Sequence, residues 1–177
     1  CLRSGGLAQG PKVAQLESEF AEMCGVDHAV AVGNGTLALE LALAVADLSP
    51  GDEVLTTPFT FVATINAALA AGATVRFADI DPLTFNLDPE AASAALNANT
   101  RALVPVHLYG RPAPMTALAA LADGNDLVLV EERTGPRRGA RREADRLLGA
   151  RLLLLLRHEE HDHRRGGHGH HLGRGAR

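Results

Sequence analysis

Residues 53–78, EVLTTPFTFVATINAALAAGATVRFA, are the stretch on which the fold reading turns. Glu53–Thr57 reads as a short strand and Pro58–Phe61 as a loop. Val62–Ala71 is a small-residue helix closed by Gly72, and Thr74–Ala78 returns to a strand. The alternation continues on both sides. Upstream, Pro11 suits the first turn of a helix, Val13, Leu16, Phe20 and Met23 recur at helical spacing, and Gly25 ends it. Ala29–Val32 predicts a short buried strand, and Thr36–Leu48 a helix apolar enough to be buried on most sides. Downstream, the acidic loop Asp79-Ile80-Asp81-Pro82 leads to Asp88-Pro89-Glu90, a cap and first turn for a helix through Leu96. Ala102–His107 is an apolar strand, Pro114–Ala122 a helix, and Leu127–Val130 a fully apolar strand. The strands are continuous apolar runs rather than period-two patterns. That predicts an α/β fold with a mostly parallel sheet covered by helices on both faces.

Such sheets bind ligands at the carboxyl ends of their strands. Gly33–Thr36, Pro58–Phe61, His107–Tyr109 and Glu131 all fall at such ends. The turn Gly33-Asn34-Gly35 leads into a helix opening at Thr36, so unpaired N–H groups and the helix dipole converge on one spot suited to a phosphate. Thr36 is placed at the N-cap, where its hydroxyl can also bond an anion. An ordinary strand-to-helix turn, with glycines for geometry, is the alternative. The spacing is neither GxGxxG nor a Walker A loop, so nucleotide binding of those types is not indicated.

The 177 residues suffice for one domain with a core, and the formal net charge of −4 gives no general attraction to nucleic acid or anionic membranes. Cys1 and Cys24 lack metal-ligand spacing, and no apolar run is long enough to span a bilayer. A cytoplasmic protein is the expectation, and a start at Cys1 rather than Met suggests an incomplete N-terminus. Composition breaks near Glu132. Every Phe and the only Tyr precede it, whereas Val, Ile, Phe, Tyr, Ser, Asn, Gln and Lys are all absent after it. The chain divides into residues 1–132 and an Arg/His/Gly-rich tail, residues 133–177.

Four blocks, GPKVAQLESEFAEMCGVDHAVAVGNGTLAL, PGDEVLTTPFTFVATINAAL, FADIDPLTFNLDP and VPVHLYGRPAPM, closely resemble the DegT/DnrJ/EryC1/StrS aminotransferases. The resemblance runs from about Leu2 to Glu131 and covers only the N-terminal part of a family member. It implies a fold-type-I, pyridoxal-phosphate (PLP) large domain and amino transfer, with glutamate as donor, to a keto-sugar on a nucleotide carrier. Gly35 and Thr36 would then hold the cofactor phosphate. Phe61 would stack on the pyridine ring, unless it is one more core phenylalanine. His107 and Tyr109 would face the substrate, although packing explains a strand-end His and Tyr equally well. Family members are typically homodimers with cofactor sites shared across the interface. A truncated chain would leave sheet edges and apolar helix faces uncovered.

After Val130-Glu131 the resemblance fails. Glu132 stands where the family's V-E-D motif has the aspartate that keeps the pyridine nitrogen protonated. The only lysine, Lys12, lies far too early to be the Schiff-base residue, so no catalytic residue is assigned and covalent cofactor attachment is not possible. Read one base out of frame, the codons of Arg133–Gly139 are compatible with A-Q-A-H-G-A, and the family lysine falls across Glu159-Glu160. A reading-frame slip at Glu132 accounts for the tail. A rival from another class is a metal-binding tail built from His158, His161, His163, His168, His170, His171 and Asp162. Its ligands have no surroundings to orient them, so no metal residues are assigned. A third reading is a cofactor-free nucleotide-sugar-binding module. Most of the tail is expected to be disordered, with Leu152–Leu156 a helical turn or a sticky patch.

Overall fold

The computed structural model describes residues 9–133 and 155–156. Helix α1 (Pro11–Cys24) opens with proline in its first turn and closes at Gly25, whose φ of 69° lets Val26 N–H return to the Ala21 carbonyl at 3.1 Å. There follow α2 (Gly35–Ala44), β1 (Glu53–Thr56), α3 (Val62–Ala70) and β2 (Thr74–Phe77). Next come α4 (Pro89–Ala95), β3 (Thr100–Leu103), β4 (Val106–His107) and a 3₁₀ turn, Leu108–Gly110. Helix α5 (Met115–Gly124), β5 (Val128–Arg133) and β6 (Leu155–Leu156) complete the described elements. Asp88 caps α4 by accepting from Glu90 N–H at 3.1 Å, and Gly72, at φ 83°, turns the chain from α3 into β2.

Strand β1 pairs in parallel with β2 on one side and β3 on the other, and β3 and β4 both pair in parallel with β5. β3 and β4 are two parts of one interrupted strand. Ala102 lies opposite Val128 and Val106 opposite Glu132, which is a single unbroken register. Pro105 interrupts it because proline brings no N–H to the ladder. The neighbours remain satisfied: Thr56 Oγ1 donates to the Val104 carbonyl at 2.8 Å, and Glu132 N–H donates to the Pro105 carbonyl at 2.9 Å. Leu155–Leu156, part of a run expected to form a helical turn or a sticky patch, lies antiparallel beside β5.

Alternation along the strands divides the core between the two faces. Val54, Ala102, Val104 and Val130 pack with Leu39, Ala42 and Leu43 of α2 and Ala63, Ala67 and Ala68 of α3. Leu55, Leu103 and Leu129 pack on the other face with Ala92 of α4 and Leu118 and Ala122 of α5. Each fully buried Leu or Val side chain contributes roughly 1.5–3 kcal/mol. The α/β architecture read from the sequence, a parallel sheet with helices on both faces, is the one observed.

Two expectations need correcting. Ala29–Val32 is not a strand: no ladder partner stands beside it among the described residues, and a strand exists only by pairing. Its Ala31 N–H instead donates to the Glu17 carboxylate at 2.8 Å. Helix α2 is also shorter than Thr36–Leu48 and is not buried on most sides. Ala38, Leu39, Ala42 and Leu43 face the core, while Leu37, Leu41 and Val45 are exposed. Among the described residues, α3 and β5 cover only one face of it.

Candidate functional site

Because β1, β4 and β5 run parallel, their carboxyl ends share one edge of the sheet, and that edge holds the polar groups. Two consecutive glutamates, Glu131 and Glu132, lie just before the last residue of β5, and the pleat sends them to opposite faces. Glu132 follows Val130 onto the α2/α3 face. It is 2% exposed, and its carboxylate accepts a hydrogen bond from the Thr64 hydroxyl of α3 at 2.5 Å. Burial pushes its carboxyl above the ordinary 4.5, and the Thr64 hydrogen bond partly opposes that shift. Thr64 Oγ1 also lies 2.8 Å from Thr60 Oγ1 and 3.1 Å from the Phe61 carbonyl. When Glu132 is ionised, Thr60 donates to Thr64 and Thr64 to the carboxylate. When Glu132 is protonated it can donate to Thr64, which then donates to the Phe61 carbonyl. The hydroxyl pair therefore serves both protonation states.

Glu131 turns to the α4/α5 face and meets His107, which is 3% exposed. His107 Nδ1 accepts the Ala113 N–H at 2.9 Å, so the neutral ring carries its proton on Nε2 and presents it to Glu131 at 3.1 Å. Both ring nitrogens are committed to the protein. The expectation that His107 faces a substrate is therefore not what its geometry favours. Tyr109 and Phe61 behave differently, at 82% and 67% exposed. Phe61 is no core residue: it forms the N-cap of α3, its carbonyl holds Thr64, and its ring stands free of the packed interior. The nearby Phe59 ring lies 5.8 Å from that of Phe85.

The glycine turn opens α2 one residue earlier than expected. Asn34, not Thr36, is the N-cap: its backbone is extended (φ −164°) and Oδ1 accepts Leu37 N–H at 2.9 Å. Asparagine reaches its own helix's third N–H more readily from that position than threonine does from inside the turn. Gly35 and Thr36 become the first two helical residues, whose N–H groups have no intrahelical acceptor. With the cap reassigned, the unpaired N–H groups read from the sequence at this turn lie at Gly35 and Thr36. Thr64 joins Phe61 to Glu132, but no hydrogen bond among the described residues joins Gly35 or Thr36 to either.

Thr64 escaped the sequence reading, although a lone threonine facing inward in VATINAALA was a usable signal. Asn86, buried in the loop before α4, gave no local signal at all. Among the described residues no group of His, Cys, Asp and Glu is arranged to hold a metal, and no helix is long and apolar enough to cross a membrane. The histidine-rich segment lies outside the described residues.

Over residues 1–134 the chain matches the DegT/DnrJ/EryC1/StrS aminotransferase family. It is 48% identical over 131 residues to the spore coat polysaccharide biosynthesis protein SpsC of Bacillus subtilis, covering 74% of this chain and 34% of that protein. To the GDP-perosamine synthase of Caulobacter vibrioides it is 41% identical over 123 residues, 70% of this chain and 33% of the relative. The crystal structure of S. venezuelae DesV in complex with a ketimine intermediate superposes with a TM-score of 0.71 at 45% identity, over 73% of this chain and 35% of that one. The chain thus spans about a third of the length of these relatives. Related structures carry the cofactor in its pyridoxal and pyridoxamine phosphate forms, among them that of Spr1654 from Streptococcus pneumoniae (TM-score 0.72, 28% identity, 76% of this chain and 38% of that one).

Set against pyridoxal phosphate, the residues present fit in part. The first turn of α2 suits the phosphate group. The covalent link does not fit, because Lys12 lies on exposed α1 with its ammonium hydrogen-bonded to Gln15 at 2.9 Å.

Proposed function

Because the chain belongs to the DegT/DnrJ/EryC1/StrS aminotransferase family, we propose that it is the N-terminal part of a pyridoxal-phosphate-dependent aminotransferase acting on a nucleotide-linked keto-sugar with glutamate as donor, and that as written it binds without catalysing. The observation that carries this is the lysine: the chain has one, Lys12, exposed on α1 with its ammonium hydrogen-bonded to Gln15. Bound there, the cofactor supplies an electron sink for amino-group exchange, and a lysine is needed both to hold it and to move the proton. The chain's own residues do less. Gly35 and Thr36 hold the phosphate, Phe61 offers a ring face, and Tyr109 meets the sugar nucleotide. Glu132 fills the aspartate position with its carboxyl tied to Thr64 and biased towards the neutral form, the opposite of what a pyridinium partner requires.

Residues 1–132 form the aminotransferase portion and residues 133–177 a frame-shifted tail, a division supported by a family match that stops at residue 134. A cytoplasmic location is consistent with the lack of a spanning helix among the described residues. The purified chain, given pyridoxal phosphate, glutamate and a nucleotide-linked keto-sugar, is expected to form no 2-oxoglutarate above background. Glutamate-dependent 2-oxoglutarate would refute the reading. Sequencing the gene across the codons for Val130–Arg142 tests the slip: an unbroken frame identical to the present one in the source genome makes the loss genuine, whereas a restored frame returns the lysine.

A further inference from the structure

The loop leaving β4 holds a large aromatic residue in a backbone conformation that suits glycine. Tyr109 has φ 50° and ψ 31°, left-handed, and Gly110 follows at φ 74°. Left-handed backbone is unfavourable for a bulky side chain and persists only where the surroundings over-determine it. The tyrosine ring offsets none of this by packing, since it stands in solvent.

Two buried side chains impose the conformation from below. Asn86 Oδ1 accepts Leu108 N–H at 3.1 Å, and its Nδ2 donates to the carbonyls of Arg111 (3.3 Å) and Pro112 (3.0 Å). His107 Nδ1 accepts Ala113 N–H at 2.9 Å, and Glu131 fixes the other side of the ring. The loop is therefore gripped on both sides of Tyr109 by hydrogen bonds that leave no polar atom of Asn86 idle. Arg111 adds a tie from its guanidinium to the Leu83 carbonyl at 3.1 Å. A cage of this kind serving only to close the loop would be better served by glycine at position 109. The exposed tyrosine ring is instead available to a ligand at this edge.

We propose that Asn86 and His107 are positioning residues, and that their purpose is to hold Tyr109 outward at the carboxyl edge of the sheet as a contact for the nucleotide-linked sugar. This rests on the proposed function for the identity of the ligand. The ring offers its face to a planar base or to the apolar face of a pyranose, and its hydroxyl offers one hydrogen bond. His107 thereby changes from a ligand contact to a support for one, and Asn86 enters the site.

Strain and function then trade off, which makes the inference testable on the full chain. Affinity is measured by calorimetry against UDP-, GDP- and dTDP-linked glucose and the free diphosphates, with thermal midpoints recorded in parallel. Tyr109→Gly is expected to raise the midpoint by about 2–4 °C through relief of the left-handed strain and to weaken the tightest nucleotide sugar at least about fivefold. That loss extends to the free diphosphate if the base is the stacking partner and is confined to the sugar conjugate if the pyranose is. Asn86→Ala is expected to weaken binding in the parent and to leave affinity unchanged in the Tyr109→Gly background, while lowering the midpoint in both. Parental affinity in Tyr109→Gly, or an equal loss from Asn86→Ala in both backgrounds, overturns the inference and leaves the proposed function standing. Failure of the parent chain to bind any of these ligands overturns both. Should Asn86→Ala not fold, Asn86→Asp, which keeps the acceptor for Leu108 N–H and loses the two Nδ2 bonds, takes its place in both backgrounds with the same expected outcomes.

Discussion

Replacing Glu132 by glutamine should stabilise the protein at neutral pH. The carboxyl is 2% exposed, and the loss of water drives its pKa above 4.5, with the Thr64 hydroxyl at 2.5 Å only partly compensating. A buried acid whose folded pKa is raised binds its proton more tightly in the folded state than in the unfolded chain. Stability therefore falls as pH rises from the unfolded value, near 4.5, to the higher folded value, and the whole penalty persists above it. Each unit of upward displacement costs about 1.4 kcal/mol. Glutamine has nearly the same shape as the protonated acid, and its amide oxygen still accepts from Thr64. The two proteins should therefore be close in stability at pH 4, with the glutamine form ahead at pH 8. Urea unfolding from pH 4 to pH 8 measures this, with the difference between the two proteins taken at each pH so that the remaining groups cancel. The same network gives a companion variant. Thr64→Val leaves an ionised carboxylate without its donor, and should cost about 1.5–3 kcal/mol at pH 8 and less at pH 4. If the parent gains on the glutamine variant as pH rises through this window, Glu132 is not a strained buried acid, and the reading of its site is wrong.

Two further outcomes follow from geometry already described. Asn34→Ala removes the side chain that accepts Leu37 N–H and should cost about 1 kcal/mol in denaturant unfolding, whereas Thr36→Ala should cost clearly less because Thr36 is not the cap. At the opposite edge of the sheet, Glu53 takes two hydrogen bonds from Arg76 and one from Asn97 at 2.9 Å, and the Arg76 bonds hold its carboxyl below 4.5. Its contribution is complete above the unfolded value and is lost as pH falls through the lowered folded one. Glu53→Gln should therefore lower stability slightly at pH 7 and flatten the acid limb by the same small amount, the difference vanishing as pH falls through the folded value, since surface pairs of this kind contribute little.

What was legible in the sequence had local causes. Gly25, Gly72 and the Asp88-Pro89 pair mark element ends through the backbone angles of single residues, so their neighbours alone suffice to read them. The alternation of apolar runs with helices, and hence the parallel sheet, follows from which residues must leave water. The gathering of Phe61, His107, Tyr109 and Glu131 towards one edge then follows from parallel strands sharing a direction.

The rest depended on partners distant in the chain. Ala29–Val32 has the composition of a strand, but a strand needs a ladder, and none is beside it among the described residues. Asn34 and Thr36 are both respectable caps, and only the extended backbone at Asn34 decides between them. Pro105 reads as part of a continuous run, and only the register shared by β3 and β4 shows one strand interrupted. The same holds for chemistry. Sequence by itself determined the family, the absence of any lysine after Lys12 and the glutamate at position 132, because these are matters of identity. Tertiary structure decided that Glu132 is buried against Thr64, that His107 turns inward to Glu131, and that Asn86 grips the loop carrying Tyr109. Those contacts join residues from 22 to 68 positions apart, and burial and hydrogen-bond geometry at such separations exist only once the sheet has brought its strands together.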